Sequence, residues 1–241
     1  MSKFIPKSSG LSLVELMIAA MLGMVLLAGV ISLFIGSKQS YRVQDQLSNV
    51  QTDGRFAMMF MERFVENAGW YEELAPSIPS AIETLQTSDG GGVASDSLAV
   101  QVEVPAGTEV DCNGSVAVGT TLINRFYVNG TTLLCQGNGG SAAQPIVENV
   151  ESFQVLYGVD TDADGVVNQY VTATSIGAAT NVIAVQIALL MATNDNVASE
   201  SKSESFNVLD VSINTDDSRL RRVFQKTIML PNQAYVLMNN G

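Results

Sequence analysis

Gly10-Leu11-Ser12-Leu13-Val14-Glu15-Leu16 decides how this chain of 241 residues is read. The stretch places one carboxylate at the start of an otherwise uncharged apolar run, residues 11–35. As a helix with about 1.5 Å of rise per residue, that run is roughly 37 Å long and crosses a bilayer core. A glutamate inside such a segment costs about 2.5 kcal/mol or more. An ordinary membrane anchor has no reason to bear that cost here, whereas a protein that pairs the charge later has one. Lys3 and Lys7 precede the run and no acid does, so the positive-inside rule keeps the first ten residues cytoplasmic and exports the rest. A secretory signal is cut after its apolar region, at a small-x-small site. The obvious junction in this chain, Gly10-Leu11, lies before it. Cleavage there keeps the helix and leaves Glu15 close to the new amino terminus.

A short basic leader, glycine at the junction, an apolar residue, Ser12-Leu13-Val14-Glu15 and then a membrane helix together resemble the type IV prepilin signature. The chain departs from that pattern at Leu11, where phenylalanine is commoner. The resemblance implies that a membrane peptidase, the prepilin peptidase, cuts after Gly10 and methylates the amine of Leu11. Glu15 then becomes the candidate residue for subunit assembly. A carboxylate buried in lipid or in a filament must find a positive partner, and processing creates one at Leu11, on the same or an adjacent subunit. The competing reading is a plain signal anchor with an incidental glutamate.

Composition fits export. Loss of Lys3 and Lys7 takes the side-chain net charge from -12 to -14. An acidic chain without histidine is a poor nucleic-acid binder, because phosphate contacts need clustered Lys and Arg. The absence of histidine also excludes Ser-His and Cys-His nucleophiles. With no phosphate-cradling glycine-lysine loop and no zinc motif, no catalytic residue is assigned and the chain is not read as an enzyme.

The helix is expected to continue beyond the membrane. Val43, Leu47, Val50, Gly54, Ala57, Met61, Phe64 and Ala68 recur at alternating steps of four and three, one helical stripe. Phe56, Met59 and Phe60 are expected to widen it, while Gln44, Asp45, Asn49, Asp53 and Glu62 face water. Gly69 is a plausible stop. We expect the stripe to pack on the rest of the chain; a coiled-coil partner site is the alternative. After Trp70, strand-like stretches cover residues 98–104, 122–128, 131–136, 152–157, 182–191, 206–213 and 223–230, with Asn129-Gly130 as a hairpin signal. The fold class is therefore α+β: a long N-terminal membrane-spanning helix packed on a mostly antiparallel β-sheet domain, type IV pilin-like by the resemblance. The expected divisions are a leader (1–10), a transmembrane helix half (11–36), an amphipathic helix half (37–69) and a periplasmic β-rich domain (70–241).

Cys112 and Cys135 are the two cysteines. In an oxidising periplasm such a pair forms a disulfide, here closing a loop of about 24 residues worth roughly 3 kcal/mol in the chain-entropy model. Two free thiols are the alternative, and a metal site would need more ligands. Ser152-Phe-Gln-Val-Leu-Tyr-Gly-Val-Asp-Thr-Asp-Ala-Asp-Gly165 resembles the central motif of the PilW-type minor pilins. The stretches 182–190 and 219–227, and the surroundings of both cysteines, resemble its other parts. That resemblance implies a low-abundance subunit that helps start type IV pilus assembly and sits near the pilus tip. Its partners would be other minor pilins, the major pilin, a tip adhesin and inner-membrane lipid. It would be held in the bacterial inner membrane with a periplasmic domain, and later in the pilus. A minor pseudopilin of a type II secretion system and a membrane-anchored periplasmic binding protein are the alternatives.

Asp160, Asp162 and Asp164, alternating and followed by Gly165, match the first half of a calcium loop, with Asn168 as a further oxygen ligand. The last acidic position of the full pattern falls on Val171, and the flanks are strand-like. Calcium and an unoccupied, water-exposed acidic turn both stay open, with no other cofactor expected. Arg219, Arg221 and Arg222 read as a solvated strand edge pairing with Asp216 and Asp217 rather than an anion site.

Overall fold

The computed structural model describes residue 10 and residues 12–71, 80–177 and 180–234. The leader up to residue 9 and Leu11 lie outside the described residues. The chain divides into two compact units, one ending at Asp45 and one beginning at Gln46. A single helix, α1 (Leu13–Glu66), contributes to both.

In the first unit the apolar run is helical and uncovered. Ile18, the least exposed large apolar side chain between Leu13 and Ile35, is 53% exposed. The most apolar window of α1 has a mean hydropathy of 2.6 and none of it is buried. Such a continuous apolar surface needs lipid or neighbouring helices around it.

In the second unit α1 buries Val50, Gly54, Ala57, Met58, Met61 and Val65, with Ala68 following. Met58 and Val65 thus join the expected stripe. Phe56 and Met59 do not widen it: they are 44% and 62% exposed. The reason is angular: Phe56 stands about 100° from fully buried Ala57 on the side away from buried Met58, and Met59 stands about 100° beyond Met58. Glu62 does not simply face water either, because it pairs with Lys226. Gly69 ends the helix in the left-handed region, φ 75°, and its N–H donates to the Gln101 carbonyl at 2.9 Å.

Among the described residues ten strands follow: β1 (Ser97–Glu103), β2 (Thr121–Asn129), β3 (Thr132–Gly137), β4 (Gln144–Val147), β5 (Val150–Val159), β6 (Gln169–Val171), β7 (Val182–Ala192), β8 (Lys202–Val208), β9 (Val211–Asp217) and β10 (Arg221–Met229). They form sheets ordered β1-β2-β3-β4 and β10-β7-β5-β6, plus the β8-β9 hairpin. Every pairing between the named strands is antiparallel. The β2-β3 ladder closes with Asn129 opposite Thr132, so Gly130 and Thr131 form the turn. Gly130 takes φ 64°, the conformation a hairpin needs at its first loop position.

The core lies between α1 and both four-stranded sheets. Phe60 and Phe64 meet Phe126 of β2 at ring-centroid distances of 6.4 and 6.0 Å. Val185, Ile187, Leu189 and Met191 of β7 share this core, as their alternation predicts. Ala188 and Leu190 point to the opposite face, where Val208, Phe206 and Ile213 cover them. Burial on both faces explains the nearly continuous apolar run of β7. The covering element corrects the expected single strand over 206–213: the chain reverses at Leu209, φ 57°, and Asp210, making a hairpin. The short β4 and β6 escape the sequence reading because three or four residues carry too little alternation.

Candidate functional site

Glu15 is exposed and lies in the first turn of α1, three residues after Ser12, whose carbonyl accepts the Leu16 N–H at 3.1 Å. Unpaired N–H groups and the helix dipole favour a carboxylate at that position. Ser12 and Glu15 also have the spacing of a capping box, a signal the prepilin reading passed over. Gly10 is exposed; its neighbour across the expected junction, Leu11, is outside the described residues.

Cys112 and Cys135 are joined in a disulfide, with a Cα–Cα distance of 6.3 Å. The bridge sits beside a second lock. The buried Asp111 carboxylate accepts the N–H groups of Asn113, Ser115 and Gly139, each at 2.9 Å. The Cys112 N–H donates to Asn124 Oδ1 at 2.7 Å. The sequence reading missed Asp111, although an aspartate two residues before Asn-Gly is an Asx-turn signal.

The acidic turn is organised the same way. One carboxylate oxygen from each of Asp160, Asp162 and Asp164 can be chosen so that all lie within 4.8 Å of one another. Asp160 is buried and the other two are exposed. Asp160 already has partners: Oδ1 accepts the Ala163 N–H at 2.7 Å and Oδ2 the Gly165 N–H at 2.8 Å. Burial pushes the Asp160 carboxyl up, but these backbone hydrogen bonds outweigh it and hold the group below its ordinary value. Asn168 Oδ1 accepts from the Thr161 N–H at 2.6 Å and from its hydroxyl at 3.0 Å.

A third buried aspartate was also missed. Asp96 accepts the Gly90 N–H at 2.9 Å and the Val155 N–H at 2.7 Å, tying the residue ahead of β1 to a loop and to β5. Burial pushes its carboxyl up to about 6, with Asp89 and Asp210 acting in the same direction.

The basic cluster departs from a solvated edge. The Arg221 side chain is only 5% exposed and pairs with both Asp217 (2.7 Å) and Glu151 (2.5 Å). Arg219 also reaches Glu151, at 2.8 Å. Hydrogen bonds from Arg221 hold the Asp217 carboxyl down at about 2. Asp216 instead accepts from the Ser203 hydroxyl at 3.0 Å.

A family model described as type IV pilus-assembly protein W matches residues 116–232. The prokaryotic N-terminal methylation motif matches residues 5–31. Among solved structures, a type IV-like pilin from Thermus thermophilus is similar at 20% identity and a TM-score of 0.49, covering 80% of this chain and 97% of that one. No curated protein sequence matches the chain.

Proposed function

We propose that this chain is a member of the PilW family of type IV pilus-assembly proteins: the model of that family matches residues 116–232, and the N-terminal methylation motif matches residues 5–31. It is a structural protein, not an enzyme. Its role is that of a minor pilin that helps initiate type IV pilus assembly and sits at or near the tip. One observation carries this reading: most of the uncovered apolar helix half, with Glu15 in its first turn, lies within the methylation motif at residues 5–31. In the membrane that surface is covered by lipid. In a filament it is covered by the helices of other subunits, and the Glu15 carboxylate meets the amine that processing creates at Leu11. The partners are accordingly the prepilin peptidase, then other minor pilins, the major pilin and a tip adhesin. The second unit is the exported, periplasmic part, stapled by Cys112–Cys135.

The Asp160 turn serves this role as a self-supporting loop. The backbone N–H groups of Ala163 and Gly165 hold the Asp160 carboxylate in place, one on each oxygen. Mass spectrometry of protein extracted from membranes tests the whole reading at its root. A mature chain that begins at a methylated Leu11 supports it, and an intact leader or a cut beyond the apolar run overturns it.

A further inference from the structure

The strand edges of the second unit are not equally protected. Residues 80–88 run along β1, with bridges of Ile82 to Val100 and Ser88 to Ser97. The edges at β4 and β6 are four and three residues long, and β4 contains Pro145. Short strands, proline and covering segments are the usual guards against unwanted pairing. β10 has none of these: it is nine residues long, its register against β7 is unbroken, and among the described residues nothing pairs with its outer side.

The backbone of β10 shows what that edge offers. The Leu230 N–H donates to the Ile183 carbonyl and the Thr193 N–H to the Leu220 carbonyl, both at 2.8 Å. In an antiparallel ladder such bonded pairs recur at every second residue. Even-numbered residues of β10 therefore bond to β7. Val223, Gln225, Thr227 and Met229 turn their N–H and C=O groups outward, and the last three are exposed. Beside this edge lies a cleft of about 280 Å³, lined by Arg55, Met58, Met59 and Glu62 of α1 and by Phe224 and Lys226 of β10. The strand is also basic in an acidic chain: it contains Arg221, Arg222 and Lys226 and no acid. Arg221 and Lys226 have internal partners, whereas Arg222 is exposed with no ion-pair partner among the described residues.

We propose that β10 is a docking strand, which an extended segment of another polypeptide joins by main-chain pairing, setting an apolar side chain in the α1–β10 cleft and an acid beside Arg222. Main-chain bonds supply affinity in this mode of recognition, and side-chain pockets supply specificity. A second copy of the chain is a poor occupant, because each copy has a net charge of -12 and its β10 has no acid to offer Arg222. That the segment belongs to another pilus subunit rests on the function proposed above; the docking strand itself does not.

The test uses the full chain in detergent micelles and a fluorescent peptide of about nine residues, alternating valine and threonine with one terminal glutamate. Saturable binding is expected, weakened about tenfold when the glutamate is replaced by lysine. Thr227→Pro removes an outward N–H that makes no bond to β7, a change an edge strand tolerates, so the fold persists while binding falls at least about tenfold. Arg222→Glu should reverse the preference between the two peptides, and it decides the matter alone if the proline variant does not fold. Equal binding by folded Thr227→Pro, unchanged preference in Arg222→Glu, or no saturation at about 1 mM peptide overturns the proposal. So does a dimer of the wild-type chain that Thr227→Pro dissociates. None of these readouts depends on pilus formation.

Discussion

Asp96 Oδ2 accepts the backbone N–H of Val155 at 2.7 Å, so a buried carboxylate fastens the approach to β1 onto the middle of β5. Its pKa, near 6, exceeds the ordinary value of 3.8. The native state therefore binds the Asp96 proton more tightly than the unfolded chain does. The resulting stabilisation is fully present below about pH 3.8 and is lost as pH rises through about 6, on the order of 3 kcal/mol in all. Asp217 acts oppositely and lower down: its contribution is present above 3.8 and lost as pH falls toward 2. Urea titrations of wild type and Asp96→Asn from pH 4 to 7 separate the two. The wild-type midpoint should decline relative to the variant across that window. Parallel curves would exclude Asp96 as the titrating group.

Asp160 gives a second prediction. Asp160→Ala leaves the Ala163 and Gly165 N–H groups without their acceptor and should cost about 1–2 kcal/mol, with or without calcium. Millimolar calcium should leave the wild-type melting temperature unchanged. An ion held at a hundredfold excess over its dissociation constant would add about 2.7 kcal/mol, an increase that calorimetry on the full chain in detergent resolves.

Gly54 is buried where α1 crosses β10, and a methyl group added there would overlap the Phe224 ring. Glycine to alanine in an exposed helix gains about 1 kcal/mol. Here the overlap should outweigh that gain, and Gly54→Ala should lose about 1–3 kcal/mol in chemical denaturation. Phe224→Leu in the same chain should recover part of the loss. Additive losses in the double variant would show that the two sites do not meet.

The sequence reaches as far as its periodicities do. The 3.6-residue stripe from Val50 to Ala68 and the alternation of Val185, Ile187, Leu189 and Met191 each point to one buried face, and those faces meet in one core. Gly69 and Gly130 are legible because their turns require positive φ. The reversal at Leu209-Asp210 is hidden, since leucine is an unusual residue at φ 57° and both flanks read as strand. Asp96 and Asp111 are hidden for another reason: a buried aspartate is recognised by the backbone N–H groups around it, which come from segments distant in sequence. The inward turn of Arg221 depends likewise on Glu151, seventy residues away.

Glu15 carries the last prediction, which concerns mechanism. It stands in the first turn of α1 at the head of an apolar surface that the chain itself leaves bare. Burial of that surface among neighbouring helices takes the carboxylate out of water, and it is tolerated there if an amine meets it. On the proposed function, that amine would be the one processing creates at Leu11 of a subunit staggered along the axis, and the pairing would select axial register as well as holding subunits together. Glu15→Val removes the cost of burying the charge, so the variant should insert in the membrane and fold normally, but it should fail to enter the pilus or its initiating complex. Glu15→Gln should be similarly defective, because the amide keeps the shape and loses the charge. Membrane fractionation, with co-purification of the other minor pilins, separates these steps. If Glu15→Val supported normal piliation, charge pairing would be refuted while the family assignment stood.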